Sequence, residues 1–353
     1  MHPHDTNADQ GSVKNNDYMQ ANTANGDKRK IKVAHIVHDL DLGGIRSVIY
    51  SIAESRLSER FCFSYYKAAP RLWFTPLGVD IIMMHCASNW QTIPKVLALK
   101  AMNYRSKIII QEHHYTAAFE SRVSRLSWFR VMLRINYSLV DKVISVSEGQ
   151  GLWIKARKLL PLKKLKIIPQ CRKLDQFLEV PLKPVTGKLV LCAYGRLHEQ
   201  KGFDLLIHVM KRLPHINLRI AGAGPQEAQL KELAGNAQNI EFCGQISDIP
   251  RFLTECDAVI IPSLFEPFGL VCLEARAAGR PVIVSDVDGL PEQVQGCGLI
   301  VKPNSEQALY DAVNSLDERQ LKRWAQQARA GAKDAWKTYI NRWDKLFVTL
   351  AEA

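Results

Sequence analysis

The sequence of 353 residues contains no apolar run that approaches the roughly 18 residues of a membrane-spanning helix. Residues 1–29 lack the apolar core of a signal peptide and are rich in Asn, Asp and Gly, so we expect a disordered extension. The eight cysteines are scattered and form no CxxC pair. We therefore expect no cysteine metal site and no disulfide framework, but buried free thiols, which are typical of a cytoplasmic protein. Any membrane contact is expected to be peripheral.

Acidic residues are scarce in residues 122–173, which we call the basic band. It holds thirteen Lys or Arg against two acidic residues, and so carries almost all of the formal net charge of +12. A basic field attracts nucleic acid, an anionic membrane surface or a phosphorylated substrate, while a solvated basic face is the alternative. Interleaved apolar residues are typical of an interfacial helix; they are Leu126, Trp128, Phe129, Met132, Leu133, Trp153, Leu159 and Leu160.

Apolar strands alternate with helical patterns along the chain, which predicts parallel sheets flanked by helices. A first series opens with an apolar stretch at 31–40, runs into Gly43 and Gly44, and continues with strands at 61–66, 80–85, 107–112, 142–146 and 166–168. A linker at 170–187 precedes a second series at 188–193, 217–221, 240–243, 258–262, 281–285 and 298–301. The predicted fold class is α/β, with two Rossmann-like doubly wound domains facing each other across a ligand cleft.

The predicted domain bounds are 30–180 for the N-terminal domain, 188–325 for the C-terminal domain and 326–353 for a C-terminal helix. That helix carries a shared apolar face of Trp336, Tyr339, Trp343 and Phe347. An apolar face of this width needs a partner, and we expect the helix to pack back on the N-terminal domain.

Two cations follow the first strand of the second series. Arg196 and Lys201 lie in the loop before a helix that begins near Phe203. A helix N-terminus carries partial positive charge and free N–H groups, so this loop is suited to a diphosphate. The alternative is a loop whose basic residues face water. The GAGP sequence at 222–225 permits close backbone approach but equally serves a tight turn.

Residues 262–286 read as strand, turn, helix and strand, and contain Glu266 and Glu274 eight residues apart. Glu266 is expected at the mouth of the helix and Glu274 about one turn inside. Paired carboxylates accept hydrogen bonds from sugar and ribose hydroxyls, and the amides at 268–271 suit phosphate. Glycosidases also use two carboxylates, but their substrates have no diphosphate to occupy the neighbouring basic loop.

Residues 188–302 resemble the C-terminal domain of family 4 retaining glycosyltransferases, which have the GT-B fold and are classed as glycosyl transferases group 1. The motifs G-R, K-G, G-x-G-P and E-P-F-G within E-x7-E occur here in the same order and spacing; they are Gly195-Arg196, Lys201-Gly202, 222–225, and 266–269 within 266–274. Residues 288–292 and 298–301 also resemble the family's final segments.

This resemblance implies transfer of a sugar from a nucleoside diphosphate to an acceptor hydroxyl, with retention of configuration and no cofactor or essential metal. Arg196 and Lys201 would hold the diphosphate, Glu266 the sugar hydroxyls and Glu274 the ribose. Gln245 and Ile246 would line the base. The amides that would contact sugar and phosphates are those of Phe268, Gly269, Leu270 and Val271.

In the N-terminal half, Gly43 and Gly44 match the family's glycine pair that approaches the donor phosphate. A histidine near the reacting centre would be His113 or His114, and His113 joins Glu266, Arg196 and Lys201 as the expected catalytic set. The resemblance implies a glycan or lipid-linked acceptor in cell-envelope polysaccharide or lipopolysaccharide synthesis. With that acceptor, the basic band is expected to contact the anionic inner membrane from the cytoplasmic side.

Two alternative functions remain open from the residues. One is a nucleotide-sugar epimerase, which shares most donor contacts but needs no acceptor. The other is a non-catalytic basic module that binds membrane or RNA, although no RNA-recognition signature is present and no nucleic-acid partner is expected. The D-x-D spacings at 39–41 and 286–288 are interpreted as caps of a turn or helix, so no metal site is predicted.

Overall fold

The computed structural model describes residues 29–38, 43–183 and 187–352. The predicted disordered extension lies outside these residues, apart from its last position. Within them the chain forms two six-stranded sheets in which every strand pair is parallel. Both sheets are flanked by helices, which confirms the predicted class of two Rossmann-like α/β domains.

The first sheet has the strand order β2-β1-β3-β4-β5-β6. Its strands are β1 (Ile31–Val37), β2 (Phe61–Lys67), β3 (Ile81–Met84), β4 (Lys107–Glu112), β5 (Lys142–Ser145) and β6 (Leu165–Ile167). The second sheet has the order β12-β11-β10-β7-β8-β9. Its strands are β7 (Val190–Tyr194), β8 (Asn217–Ala221), β9 (Ile240–Gly244), β10 (Ala258–Ile261), β11 (Val282–Ser285) and β12 (Gly298–Val301). The central strands are mainly apolar, and most of their residues are buried, as expected of parallel strands covered by helices on both faces.

Helices connect successive strands and cover both faces of each sheet. They are α1 (Gly43–Ala53), α2 (Thr92–Met102), α3 (Ala117–Glu120), α4 (Leu126–Leu139), α5 (Glu148–Ala156), α6 (Asp175–Leu178), α7 (Phe203–Lys211), α8 (Glu227–Ala234), α9 (Ile249–Thr254), α10 (Leu270–Ala277), α11 (Glu306–Asn314), α12 (Glu318–Ala332) and α13 (Ala335–Ala351). Several begin where a polar side chain accepts from an orphan amide, as Ser147 does from Gln150 and Asp317 from Gln320. No helix of the described ranges is both long and apolar enough to cross a bilayer.

The C-terminal segment returns to the first domain. Helix α12 packs on α10, and the chain then turns at residues 333–334 into α13. Phe347 of α13 contacts Phe61 of β2 with ring centroids 5.3 Å apart, and Arg60 donates to Asp344 at 2.8 Å. Trp343 and Phe347 are fully buried. The expectation that the C-terminal helix packs back on the N-terminal domain is therefore confirmed.

The cysteine prediction needs one correction. Cys192 of β7 and Cys256, just before β10, form a disulfide across a sequence separation of 64 residues. The expectation that all eight thiols are free was wrong for this pair. Sequence spacing carried no signal, because only the pairing of β7 with β10 brings the two residues together. The other six cysteines are free, and Cys86, Cys171, Cys272 and Cys297 are buried.

Candidate functional site

The loop after β7 carries the first two predicted residues. Arg196 is exposed, and no hydrogen bond or ion pair joins it to another described residue. Lys201 ends a single 3-10 turn. The next residue, Gly202, adopts φ +63° and directly precedes α7. A Cβ at Gly202 would overlap the Pro262 carbonyl oxygen, so glycine allows the Lys201 turn to lie directly against the loop that contains Glu266.

Lys201 and Glu266 form the central ion pair of the site. The Lys201 Nζ lies 2.5 Å from Glu266 Oε2, and Ser263 Oγ donates to the same oxygen at 3.2 Å. Both charged side chains are largely buried, at 16% and 11% exposure. The structure thus brings together a cation and a carboxylate that the sequence separates by 65 residues.

Helix α10 begins beside this pair. Gly269 precedes it at φ +90°, and a Cβ there would lie 2.5 Å from Leu290 Cδ2 and 3.2 Å from Glu266 Cγ. Gln293 Nε2 donates to the Phe268 carbonyl oxygen at 2.6 Å and so fixes the turn. The amides of Leu270 and Val271 begin the helix with no side-chain cap, which leaves N–H groups suited to an anion.

Glu274 is buried one turn into α10 and is already paired. Arg172, from the loop after β6, donates to its Oε1 at 2.8 Å, and the Tyr194 hydroxyl donates to Oε2 at 3.2 Å. Burial raises the pKa of Glu274, and Arg172 acts in the opposite direction by favouring the ionised form. Burial next to Glu274 also raises the pKa of Tyr194 well above its ordinary value, so its hydroxyl stays a donor.

The expected base-binding residues lie at the end of β9. Gln245 is exposed and Ile246 is half-buried, packed against the core that α10 covers. On the opposite domain, Gly43 and Gly44 begin α1, the first helix after β1, as the strand, glycine and helix pattern predicted.

His113 and His114 both follow β4, and both are half-buried. The Nε2 of His113 lies 3.1 Å from Nδ1 of the buried His85, and the side chain of Gln170 also hydrogen-bonds His113. Burial lowers the pKa of His113 to about 3. His114 instead has a backbone amide that donates to Glu112 at 2.9 Å, and its Nε2 is buried without a partner among the described groups.

Two carboxylates of the second domain contact the first domain, where they accept hydrogen bonds from amides at the start of helices. Asp288 accepts from the Ala118 amide of α3 at 3.0 Å and from the Glu266 amide at 2.9 Å. Glu292 accepts from the Gly149 amide of α5 at 2.9 Å. Asp288 therefore has the capping role expected of the D-x-D at 286–288, while 39–41 lies outside the described residues. Across the described ranges no cluster of three or more His, Cys, Asp or Glu could hold a metal ion.

The apolar residues of the basic band are in part buried and in part exposed. Phe129, Met132, Leu133, Trp153 and Leu159 are buried in the core and so cannot belong to an interfacial surface, while membrane contact by the basic band stays a prediction. The exposed residues form a smaller group, which we call the Trp128 patch; it consists of Trp90, Leu126, Trp128 and Val131. Trp128 is 64% exposed and its ring meets Trp90 edge-on at 5.8 Å. Arg122 and Arg125 are exposed next to it in sequence.

Sequence reasoning missed Arg172, Gln293 and Gln170, which complete the two walls of the cleft. Arg172 and Gln170 come from a loop with no recognisable motif, and their partners are distant in sequence. Gln293 lies two residues after Pro291, inside a segment whose resemblance was noted, but its role as a brace of the Phe268 turn needs the folded geometry.

Known proteins share this architecture. A family model described as glycosyl transferases group 1 matches residues 176–332. The chain is 29% identical over 268 residues to the lipopolysaccharide core biosynthesis mannosyltransferase LpsB of Rhizobium meliloti, which covers 70% of this chain and 73% of that protein. It is 27% identical over 210 residues to the O-antigen biosynthesis glycosyltransferase WbnH of Escherichia coli, 60% of each chain.

Among solved structures, Anabaena HepE in complex with UDP and glucose superposes with a TM-score of 0.73 at 18% identity, covering 90% of this chain and 99% of that chain. That likeness concerns the fold. With the family match, it identifies two facing Rossmann-like domains as a GT-B architecture. The match to the glycosyl transferases group 1 model lies in the C-terminal half of the chain and supports the prediction of a glycosyltransferase, and the predicted GT-B fold is confirmed.

Proposed function

We propose that the protein transfers a sugar from a nucleoside-diphosphate sugar to a glycan or lipid-linked acceptor, with retention of configuration and without an essential metal. The observation that carries this proposal is the Lys201–Glu266 ion pair at the N-terminus of α10. A cation, a carboxylate and free amides converge there, and together they match a sugar joined to a diphosphate.

In this proposal the positive groups stabilise the leaving nucleotide. Arg196 and Lys201 are the cations that bind the diphosphate as its negative charge develops, and the Leu270 and Val271 amides add fixed dipoles. Prearranged donors of this kind take the role that a divalent ion has in other transferases. Glu266 accepts hydrogen bonds from the sugar hydroxyls, and the Arg172–Glu274 pair holds an ionised carboxylate for the ribose.

Calorimetric titration with UDP, GDP and ADP in the presence of EDTA tests the donor site. We expect one nucleotide to bind, and we expect Arg196→Ala and Glu274→Ala to weaken that binding by about tenfold or more. The control is Lys211→Ala, an exposed cation at the far end of α7. Undiminished binding in both site variants, or binding that requires a metal, contradicts the proposal.

Retention of configuration and the need for an acceptor are tested by proton NMR of the reaction. A transferase of the proposed kind yields a product with the donor's anomeric configuration, and turnover requires the acceptor. Turnover of the nucleotide sugar alone, with inversion at one sugar carbon, identifies the epimerase instead.

The names of LpsB and WbnH support an acceptor in lipopolysaccharide or polysaccharide synthesis for this chain as well. Because such acceptors are held in membranes, we propose that the Trp128 patch contacts an anionic bilayer from the cytoplasmic side. Exposed Trp next to Arg is the composition of peripheral membrane surfaces, since the ring enters the interface while the cations meet lipid phosphates.

Flotation with vesicles of phosphatidylglycerol and phosphatidylethanolamine tests this contact. The wild type is expected to float, and Trp128→Ser is expected to remain at the bottom of the gradient. Tyr104→Ser is the matched control, since Tyr104 is 75% exposed but lies outside the Trp128 patch. Equal flotation of Trp128→Ser and the wild type places the membrane contact elsewhere.

A further inference from the structure

Three histidines form a hydrogen-bonded row that leads from the core of the first sheet to the cleft. His35 Nδ1 lies 2.9 Å from His85 Nε2, and His85 Nδ1 lies 3.1 Å from His113 Nε2. His35 and His85 are buried, whereas His113 is half-buried at the cleft. We call this arrangement the histidine row.

The row follows from sheet topology. His35 lies on β1, His85 follows β3 and His113 follows β4, and these three strands are neighbours. The His85 amide donates to the Ile36 carbonyl at 2.9 Å, which fixes the register between the first two histidines. Because the ring nitrogens face one another in pairs, no single point lies within reach of all three rings, and a metal site is a poor description of the cluster.

Each hydrogen bond in the row holds one proton, so the direction of one bond fixes the direction of the other. At the inner end, His35 Nε2 has no hydrogen-bond partner among the described groups. A buried N–H without a partner is rarer than a buried acceptor without one, so this nitrogen is best left without a proton. His35 Nδ1 then donates to His85, and His85 Nδ1 donates to His113.

The outer end agrees with this direction. His113 Nε2 accepts from His85, so the proton of a neutral His113 lies on Nδ1. The Gln170 hydrogen bond raises the pKa of His113, as expected when the amide oxygen accepts from the ring. Burial lowers the pKa of all three rings, which keeps the row neutral.

We propose that His85 and His35 are positioning residues that fix the ring orientation and the Nδ1–H tautomer of His113 for the transfer reaction. The inference rests on the proposed function for the role of His113 in the reaction, but the tautomer itself is a property of the free protein. With Nε2 turned to His85 and Nδ1–H to Gln170, a fixed tautomer holds the His113 ring in one orientation without a change in the net charge of the cleft.

The test combines histidine-labelled NMR with kinetics. Long-range ¹H–¹⁵N spectra of the wild type are expected to show His113 as the Nδ1–H tautomer, with its signals assigned by their loss in His113→Gln. His85→Phe removes the donor to His113 Nε2, so we expect the tautomer to shift and kcat to fall by about tenfold or more, with nucleotide affinity unchanged.

Two further variants separate positioning from simple packing. In His85→Asn the amide nitrogen occupies about the place of Nδ1 and donates to His113, so both the tautomer and kcat are expected to recover relative to His85→Phe. The exposed His215→Ala is the control for the label and the fold.

An unchanged His113 tautomer in His85→Phe overturns the proposal, as does equal kcat in His85→Phe and His85→Asn. If His85→Phe does not fold, His35→Phe replaces it: this variant removes the donor to His85, and the His113 tautomer is again the quantity measured. The NMR result stands even if the protein has no transferase activity, so failure of the proposed function is distinguishable from failure of the histidine row.

Discussion

Arg172 and Glu274 form an ion pair of 2.8 Å that joins the loop after β6 in the first domain to α10 in the second. The Arg172 guanidinium also lies over the Phe177 ring, with its central carbon 5.4 Å from the centroid. A buried carboxylate stays ionised only with such a partner, since burial alone favours its protonated form. The pair therefore favours the ionised form of Glu274, against the effect of burial.

Replacement of this arginine is expected to make nucleotide binding sensitive to acid. In Arg172→Leu the pKa of Glu274 rises further, so Glu274 loses its charge at a higher pH than in the wild type, and nucleotide affinity is expected to be lower at pH 6 than at pH 8. Calorimetry at pH 8 and pH 6 measures this change. The control is Lys173→Leu, which replaces the adjacent exposed cation. Equal affinity at the two pH values would show that Arg172 does not control Glu274.

The Lys201–Glu266 pair is expected to contribute mainly to catalysis. Lys201→Ala removes positive charge from the diphosphate and leaves Glu266 without its counterion, so kcat/KM is expected to fall by about 10²–10³. Glu266→Gln keeps the shape of the side chain, and its loss of kcat reports the charge alone. Steady-state kinetics with Lys211→Ala as control measures both. A loss smaller than tenfold in each would remove the pair from the reaction centre.

Close approach of the two domains depends on Gly149. A Cβ at this position would overlap the Asp288 carbonyl oxygen, so Gly149→Ala is expected to open the contact between α5 and the loop of Asp288 and Glu292. Small-angle scattering is expected to show a larger radius of gyration, and activity is expected to fall. Glu148→Ala, an exposed neighbour on the same helix, is the control. Unchanged scattering in Gly149→Ala would mean that the domains do not depend on this contact.

The histidine row is expected to make the fold sensitive to acid. Burial lowers the pKa of His35 to about 3, so between about pH 6.5 and pH 3 the unfolded chain binds a proton that the folded chain does not. Stability is then greatest above about pH 6.5 and falls with decreasing pH, each such ring steepening the slope by about 1.4 kcal/mol per pH unit.

Urea unfolding at several pH values checks this sign. His35→Phe is expected to show a shallower slope than the wild type, while His215→Ala keeps the wild-type slope. Comparison between variants cancels the contribution of Asp288 and Glu292, whose carboxyl pKa values are raised by burial. A His35→Phe slope equal to that of the wild type would show that His35 titrates normally.

The strands and the local motifs were predictable because their signals are local. Glu266 lies on the turn before α10 and Glu274 on α10 itself, so a local pattern was enough to assign both to one turn and helix. The burial of Phe129, Met132 and Leu133 also had a local signal, since their helical spacing is that of a core face. The interpretation of these residues, together with Trp128, as typical of an interfacial helix overlooked that spacing.

The remaining features depend on distant pairings. Arg172 lies 102 residues from Glu274, and Cys192 lies 64 residues from Cys256. The histidine row uses three strands that become neighbours only in the completed sheet. No spacing rule links such residues, so sequence reasoning gave the elements of the cleft but not the contacts that join its two walls.

The return of α13 to the first domain has a consequence for how the chain folds during synthesis. Trp343 and Phe347 complete the core beside β2, yet they follow the whole second sheet along the chain. The first domain therefore leaves the ribosome with part of its apolar surface uncovered and acquires its final core only after the second domain has emerged. Deletion of α13 is thus expected to destabilise the first domain before the second.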